Sequence, residues 1–388
     1  MARRGAKKKY YYFDINFLFI VISLLVFGLL MIYSTSSYEA NMEFGDAAFY
    51  FRKQLGATVV GLLFMILVAV IPYRVYRLDF LPEKLHRLPI YVAMFFLLLL
   101  LTPLAYSANG ATRWLDLGVS VQPAEIAKLA VIVYLAAYTT RYPKAIQTAK
   151  GMLHFMFWPL VLAVMIYGIS SNLSSAIIVV GIAAVMLFVA TPQYKRYILI
   201  VLVVLLVAAA VVAFVLNQDP ATSQLGYRGD RIRAWVDPEA YADSKGYQTL
   251  QSLYAIGSGG FWGKGLGESV QKLGFIPEAQ NDMIFSIICE ELGLLGATVI
   301  IVLFIALLYR CLYIATNAKD LFGAMLVVGV MAHIAIQVIL NIAVVTNTIP
   351  NTGISLPFIS YGGSSVVFLL MEVGLVLGVA RSIEMKDE

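Results

Sequence analysis

Residues 283–309 read MIFSIICEELGLLGATVIIVLFIALLY, an apolar run that only two acidic residues, Glu290 and Glu291, interrupt. At a rise of about 1.5 Å per residue, a helix of this length exceeds the roughly 30 Å of hydrocarbon in a bilayer. Asp282 comes directly before the run, at the end of a long polar segment. The stretch therefore predicts a membrane-spanning helix with a carboxylate at its entrance.

The rest of the chain repeats this pattern, since 61% of its 388 residues are hydrophobic and 13% are charged. Soluble domains carry roughly 25% charged residues. Apolar stretches of spanning length predict ten transmembrane helices, near residues 15–35, 55–72, 89–106, 123–140, 153–170, 174–191, 197–217, 283–309, 322–345 and 363–381. We predict one all-α polytopic membrane domain over residues 1–388, with a basic tail at 1–13 and a large loop at 218–282.

The basic residues predict the orientation, because Lys and Arg are retained on the cytoplasmic side during insertion. If both termini are cytoplasmic, 18 of the 28 Lys and Arg residues lie inside. Six of the other ten lie in the loop between helices 7 and 8, and long loops obey this rule weakly. We therefore predict an extracytoplasmic loop, and we attribute the net charge of +5 to topology rather than to nucleic-acid binding.

Asp282 is the candidate catalytic residue. An acid at a membrane edge loses hydration, which raises its pKa toward the range where a carboxylate accepts protons at neutral pH. Glu290 and Glu291 would lie about 12 Å deeper along the helix, where an ionisable side chain needs a partner or a cavity. Direct catalysis and polar contacts between helices are both open for these two glutamates, and we favour supporting roles.

The large outer loop contains two unusual segments. Residues 227–235, YRGDRIRAW, place three arginines beside a tryptophan, which suits either a clamp for a pyrophosphate or a solvated basic surface. Residues 257–269 hold six glycines, but the spacing of the phosphate-binding G-x-x-x-x-G-K-[ST] motif fails there. We predict a bent or re-entrant loop that shapes a cavity, rather than a nucleotide site.

A shorter outer segment, NGATRWLDLG at 109–118, contains Arg113 and Trp114 and leads into QPAEIAK at 122–128. Pro123 suits the first turn of a helix, and Glu125 and Lys128 would share one face of that helix. The pair is either an ordinary surface ion pair, or Lys128 binds a lipid phosphate while Glu125 holds it in place.

The last polar segment, residues 341–365, is rich in Pro and Gly. Such residues break a helix at membrane depth only where the backbone lines a cavity or is covered by protein. We therefore expect this segment to share a pocket with the other outer motifs, and Ser360, Gly362 and Gly363 to support it. For the remaining intramembrane polar residues we expect hydrogen bonds between helices: Asn172, His333, Gln337 and Glu372.

Three segments together resemble the FtsW/RodA/SpoVE (SEDS) family. They are PNTGISLPFISYGGS at 350–364, PEAQNDMIFSIICEELG at 277–293, and NGATRW at 109–114 with QPAE at 122–125. The resemblance runs from about residue 33 to residue 383, and GLGESVQK at 265–272 is more similar to the FtsW and SpoVE branches than to RodA. The chain departs from the family where SSNLS at 170–174 replaces a common QPDLG run, and where Asn347 replaces a glycine.

The resemblance implies a peptidoglycan glycosyltransferase that polymerises lipid II into β-1,4 glycan strands at the outer face of the bacterial plasma membrane during septum synthesis. Asp282 occupies the position of the family's essential aspartate and would act as general base in an inverting reaction. A pyrophosphate leaves without protonation if its charge is neutralised. We assign that role to basic residues, with Mg²⁺ or Mn²⁺ as an open addition: Arg113, Lys128, Arg231, Arg233 and Lys264.

The family also implies partners, namely a class B penicillin-binding protein with transpeptidase activity and other membrane proteins of the divisome. Two other functions stay open, a flippase for lipid II and a non-catalytic divisome scaffold. A flippase accounts for ten helices and intramembrane charges equally well, but it gives no reason for an acid at the outer mouth.

Overall fold

The computed structural model describes residues 14–78, 86–108, 111–218, 226–244 and 246–383. The predicted basic tail at 1–13 lies outside this set. The described residues form twelve α-helices: α1 (Ile15–Phe44), α2 (Phe49–Val70), α3 (Leu88–Leu99), α4 (Pro123–Arg141), α5 (Ala149–Ser170), α6 (Leu173–Ala190), α7 (Tyr194–Leu216), α8 (Gly226–Val236), α9 (Tyr247–Gly259), α10 (Ile284–Thr316), α11 (Leu321–Val345) and α12 (Gly363–Ala380).

The ten predicted spans overlap α1–α7 and α10–α12, although the third, predicted at 89–106, is helical only as far as Leu99. Eight of these helices, within the described part of the chain, are long and apolar enough to cross a bilayer. The other two are α3, whose 12 residues extend only about 18 Å, and the less apolar α4. The chain is thus a multi-pass membrane protein, and the total number of crossing helices stays a prediction.

The bundle is organised around α11 and α12, the two most deeply buried helices. His333 of α11 contacts Glu372 of α12, with 2.8 Å between Nδ1 and Oε2, which confirms the expected interhelical bond. Asn172 behaves differently, because its side chain accepts from the Ser175 N–H and caps its own helix, α6. By contrast, α7 is exposed along almost its whole length and packs mainly against α8.

The outer segments are more ordered than the sequence indicates. Residues after α3 form a small antiparallel sheet, β1 (Ala105–Ala108), β2 (Ala111–Asp116) and β3 (Ser120–Val121), which the all-α prediction missed. The predicted loop at 218–282 contains α8 and α9, and α9 packs against α10. These elements bring the motifs predicted to be extracytoplasmic together at one end of the bundle.

Candidate active site

Asp282 lies two residues before α10, where three parts of the chain meet. Asn341 near the end of α11 donates to the main-chain oxygen of Asp282 at 2.8 Å and to that of Ile354 at 2.7 Å. A Cβ atom at Gly353 would lie 3.8 Å from Asp282 Oδ2. The helix break predicted at 341–365 therefore borders the Asp282 carboxylate.

The surroundings of Asp282 shift its pKa upward. Burial raises the pKa of Asp282 from its ordinary value of 3.8 to about 6, against a hydrogen bond from its own main-chain N–H that lowers it. The Glu278 carboxylate raises this pKa further, and the Arg231 guanidinium lowers it. The raised pKa matches the expectation for an acid at a membrane edge.

A cleft of about 240 Å³, the Arg231 cleft, is lined by Arg231 and Trp235 of α8, Gln248 of α9, and Asn351. Asp282 is not among its described lining residues, and the charge of Arg231 links the two. Arg231 donates to the Asn351 main-chain oxygen at 3.1 Å, and Asn351 Nδ2 donates to Gln248 Oε1 at 2.9 Å. Sites that enclose a small organic ligand usually have about 300–1,000 Å³. The cleft therefore accommodates one group of a large substrate rather than the whole molecule.

Two other arginines predicted to bind pyrophosphate contact helix ends. Arg233 is buried and donates to the main-chain oxygens of Val215 and Gln218, at 3.3 and 2.9 Å. It lies about 200° around α8 from Arg231, which separates the two guanidinium groups. Arg113 donates to the main-chain oxygens of Ser170 and Ser171, each at 3.4 Å. Phosphate binding by Arg113 and Arg233 stays a prediction, as does the role of Arg228, whose side chain is not among those described.

Glu125 and Lys128 form an ion pair in the first turns of α4, with 2.7 Å between Oε2 and Nζ. Both side chains are buried, and the Lys128 side chain is only 1% exposed. The alternative of an ordinary surface pair is therefore wrong. The contact with Glu125 therefore offsets part of the cost of burying the Lys128 side chain.

The glycine-rich segment packs against a break in α10. The backbone of Gly293 is not helical, with φ 67° and ψ −167°. The main-chain N–H groups of Lys264 and Gly265 donate to the oxygens of Glu290 and Glu291, at 3.0 and 2.9 Å. On the other side of the break, the N–H of Leu294 donates to the oxygen of Gly260 at 2.9 Å. The segment thus bends, as predicted, and it satisfies backbone groups that the break leaves unpaired.

This backbone contact requires glycine on both sides. A Cβ atom at Gly263, where φ is 78°, would lie 2.2 Å from the main-chain oxygen of Glu291. A Cβ atom at Gly293 would lie 2.3 Å from the main-chain nitrogen of Gly263. A Cβ atom cannot lie this close to backbone atoms. The glycines at 263 and 293 are therefore explained by the close packing of the two backbones.

The side chains of Glu290 and Glu291 hold the same segment in place. Glu290 accepts from Lys264 Nζ at 2.6 Å and from the hydroxyl of Ser269. Glu291 accepts from Lys272 Nζ at 2.8 Å and from Ser34 Oγ of α1 at 2.7 Å. Both glutamates are fully buried. These contacts favour the supporting roles predicted for the glutamates, and they engage Lys264 away from the Arg231 cleft.

The remaining predicted residues organise the outer surface. The ring of Trp114 stacks on that of Tyr106 across the small sheet, with 6.1 Å between centroids. Ser360 Oγ accepts from the Leu356 N–H at 2.7 Å, and the Gly362 N–H donates to Gln54 Oε1 of α2 at 3.0 Å. Gly363 begins α12. These contacts fix the 346–362 segment, which borders Asp282.

A divalent-cation site stays a prediction. Among the described residues, no three His, Cys, Asp or Glu side chains cluster as a metal-binding group. Glu278 raises the pKa of Asp282 through its charge, an effect that does not require contact between the two carboxylates. Mg²⁺ is commonly held by one or two carboxylates together with substrate phosphates, and Glu278 is the acidic residue that would contribute to such a site without engaging Asp282.

Sequence reasoning missed several residues of the site. Glu278 and Asn351 lie inside the quoted motifs, but nothing in their spacing points to Asp282 or to the cleft. Gln248 lies in α9, in a stretch interpreted as loop. Asn341 was noted only as the start of a polar segment, although a buried asparagine near a helix end commonly bonds main-chain groups.

The chain matches the family model for FtsW/RodA/SpoVE cell cycle proteins over residues 15–385. It is 37% identical over 370 residues to Stage V sporulation protein E of Bacillus subtilis (strain 168), covering 95% of this chain and 97% of that protein. It is 35% identical over 376 residues to the probable peptidoglycan glycosyltransferase FtsW of Trichlorobacter lovleyi, covering 96% and 94%.

Solved structures share the fold. A chain from a peptidoglycan synthase complex that coordinates polymerization and crosslinking aligns with a TM-score of 0.76 at 24% identity, covering 95% of this chain and 98% of that one. The rod shape determining protein RodA of Thermus thermophilus aligns with a TM-score of 0.63 at 23% identity, covering 96% and 98%. The chain belongs to the FtsW/RodA/SpoVE family.

Proposed function

We propose that the chain is a peptidoglycan glycosyltransferase that polymerises lipid II into β-1,4 glycan strands at the outer face of the plasma membrane. The observation that carries the proposal is the Asp282 carboxylate, whose pKa is raised to about 6 and which senses the charge of Arg231, a residue that lines the cleft. Several family relatives bear the name of probable peptidoglycan glycosyltransferase FtsW, and they match nearly the whole chain.

Asp282 acts as the general base. The 4-hydroxyl of an acceptor GlcNAc attacks C1 of the donor sugar, and its proton passes to the Asp282 carboxylate. The bond between C1 and the pyrophosphate oxygen breaks, and undecaprenyl pyrophosphate leaves with the electron pair. Attack from the face opposite an α-linked pyrophosphate inverts the anomeric centre and gives a β-1,4 bond. A positioned base of this kind contributes about 10²–10⁴ in rate.

Arg231 is the first residue we assign to the leaving pyrophosphate, because it lines the cleft and lies close enough to lower the pKa of Asp282. A guanidinium fork matches phosphate oxygens and stabilises the charge that develops as the bond breaks. Arg113, Lys128, Arg233 and Lys264 would reach a phosphate only by exchanging the contacts that they now make. A divalent cation bound to the substrate phosphates and to Glu278 would supply further neutralisation and leave Asp282 free to accept the proton.

The raised pKa predicts an acid limb in the pH profile of polymerisation. A base works when deprotonated, so the rate should rise as the pH increases through about 6 and level off above it. The measurement is the initial rate with labelled lipid II across pH, at saturating substrate. An inflection near 3.8, the ordinary value for Asp, would contradict the assignment.

The variant Glu278→Gln refines this measurement. It removes a negative charge that raises the pKa of Asp282, so the acid limb should shift to lower pH. If the limb stays where it is, the titrating group is not Asp282 or does not sense Glu278.

The function itself is tested by incubating the purified chain with labelled lipid II and separating the products by gel electrophoresis. A class B penicillin-binding protein is the partner that we propose, so the assay is run with and without one. Glycan ladders in either reaction support the proposal. Transport of lipid II across vesicles without any ladder would instead favour a flippase, and neither activity would favour a scaffold.

A further inference from the structure

A second cleft, of about 570 Å³, lies at the opposite end of the bundle from Asp282. Its described lining residues are Arg77, His86 and Arg87 before α3, Tyr91 in α3, and residues from the last two turns of α4 and its C-terminal end. The hydroxyl of Tyr73, in the short 3₁₀ helix Tyr73–Arg77 that follows α2, donates to Asp320 at the start of α11, which marks this end. Asn341, which contacts Asp282, lies 21 residues later in α11, about 31 Å away along the axis.

The cleft is positively charged. Three arginines line it, Arg77, Arg87 and Arg141, and no Asp or Glu is among its described lining residues. In the sequence, residues 77–87 together with Arg141 contain four basic and two acidic residues, a net charge of +2. Arginine forks match phosphate oxygens in two parallel hydrogen bonds. The charge and the donor type therefore select an anion, and a phosphate in particular.

The floor of the cleft is aromatic. Tyr134, Tyr138 and Tyr142 follow one another at four-residue spacing on one face of α4, with 6.0 and 5.1 Å between neighbouring centroids. Arg87 lies over the ring of Trp158 of α5, 5.5 Å from the centroid, which holds its guanidinium at the rim. A polar rim above an aromatic floor suits a ligand that is charged at one end and apolar at the other.

The depth of the cleft fits the edge of a membrane. Arg141 ends α4, and Tyr134 lies seven residues earlier, about 10 Å along the helix axis. This length of about 10 Å along α4 matches the distance from the lipid headgroups to the upper part of the acyl chains. Tyrosines and tryptophans concentrate at that level, and basic pockets between helices on the cytoplasmic side bind anionic headgroups.

We propose that this cleft binds the phosphate headgroup of an anionic phospholipid from the adjacent leaflet. The phosphate lies between Arg87 and Arg141, and the glycerol and upper acyl chains run along the tyrosines of α4. A soluble phosphate compound shares the charged group, but it would leave the aromatic floor unfilled. The site is separate from the Arg231 cleft, and the proposal does not depend on glycosyltransferase activity.

The test is a lipid titration of the purified full-length protein in mild detergent, read by native mass spectrometry. Phosphatidylglycerol is compared with phosphatidylcholine of the same acyl chains. The variant Arg87→Gln with Arg141→Gln should weaken the tightest phosphatidylglycerol binding by about 30-fold, because a basic residue near anionic lipid contributes about fivefold in affinity. Phosphatidylcholine binding should not change.

The matched control is Arg196→Gln, which removes the same charge from an exposed position at the same end of the bundle, outside the cleft. This variant should keep the unmodified protein's preference for phosphatidylglycerol over phosphatidylcholine. The single variant Arg141→Gln changes an exposed helix end, and it should lose about fivefold in affinity even if the double variant unfolds. Thermal unfolding of each variant checks its integrity.

Three results would overturn the proposal. The first is an unchanged preference for phosphatidylglycerol in a folded Arg141→Gln variant. The second is an equal loss of affinity in Arg196→Gln. The third is full displacement of phosphatidylglycerol by excess inorganic phosphate, since the acyl chains would then add nothing and the ligand would be a soluble anion.

Discussion

Replacing Asp282 with Asn is expected to reduce lipid II polymerisation by about 10² to 10⁴, the usual contribution of a general base. The amide is nearly the same size as the carboxylate, so packing beside Gly353 and the main-chain contact with Asn341 should survive. It cannot accept the acceptor hydroxyl's proton at neutral pH. The measurement is the rate of glycan formation from labelled lipid II by purified protein, at a pH well above 6.

The matched control is Glu239→Gln, which makes the same chemical change at an exposed position of the outer region. It should polymerise at the rate of the unmodified protein. Transport of lipid II is measured in vesicles made from the same preparations, because a pure flippase would keep moving lipid after Asp282→Asn. Full-length glycan from a folded Asp282→Asn variant would show that another group removes the proton.

Replacing Gly293 with Ala is expected to destabilise the protein by about 3 kcal/mol or more, because its backbone conformation is open almost only to glycine. The added methyl would also meet the main-chain nitrogen of Gly263 at 2.3 Å. This nitrogen belongs to the backbone rather than to a flexible side chain, so the backbone itself must move. Thermal unfolding in detergent, followed by size-exclusion chromatography of the heated sample, measures the loss.

Gly257→Ala provides the comparison for this variant. Gly257 lies in α9, and a Cβ atom there would meet nothing within 4 Å. Alanine is favoured over glycine inside helices by about 0.5–1 kcal/mol, so this variant should be neutral or slightly more stable. Equal stability of Gly293→Ala and Gly257→Ala would mean that the break in α10 is not required for folding.

The fold was largely predictable because its main physical cause is local. An apolar run of spanning length forms a helix wherever it occurs in lipid, since every backbone group must be bonded within the segment. The outer elements depend instead on distant contacts. The β1–β2 sheet pairs Tyr106 with Trp114, and α8 is anchored through Arg233 to the end of α7. The short segments that form β1, β2 and α8 have no periodicity that predicts these elements from the sequence.

The site shows the same division. Asp282 was identifiable because a single acid at a helix entrance has a calculable consequence for its pKa. The sequence could not show which of Arg231 and Arg233 lines the cleft, because the two lie only two residues apart in one basic cluster. Only the direction of α8 places one in the cleft and the other against main-chain oxygens. Glycines 263 and 293 likewise required the tertiary contact to explain them.

The interruption of α10 at Gly293 separates the outer rim from the lipid-crossing shaft beneath it. The chain at 260–265 bonds both sides of this interruption, at Glu290 and Glu291 before it and at Leu294 after it. The interruption is therefore a braced elbow rather than a free hinge. A tilt of the longer part of α10 would carry the glycine-rich segment with it, and through that segment the short part of the helix that follows Asp282.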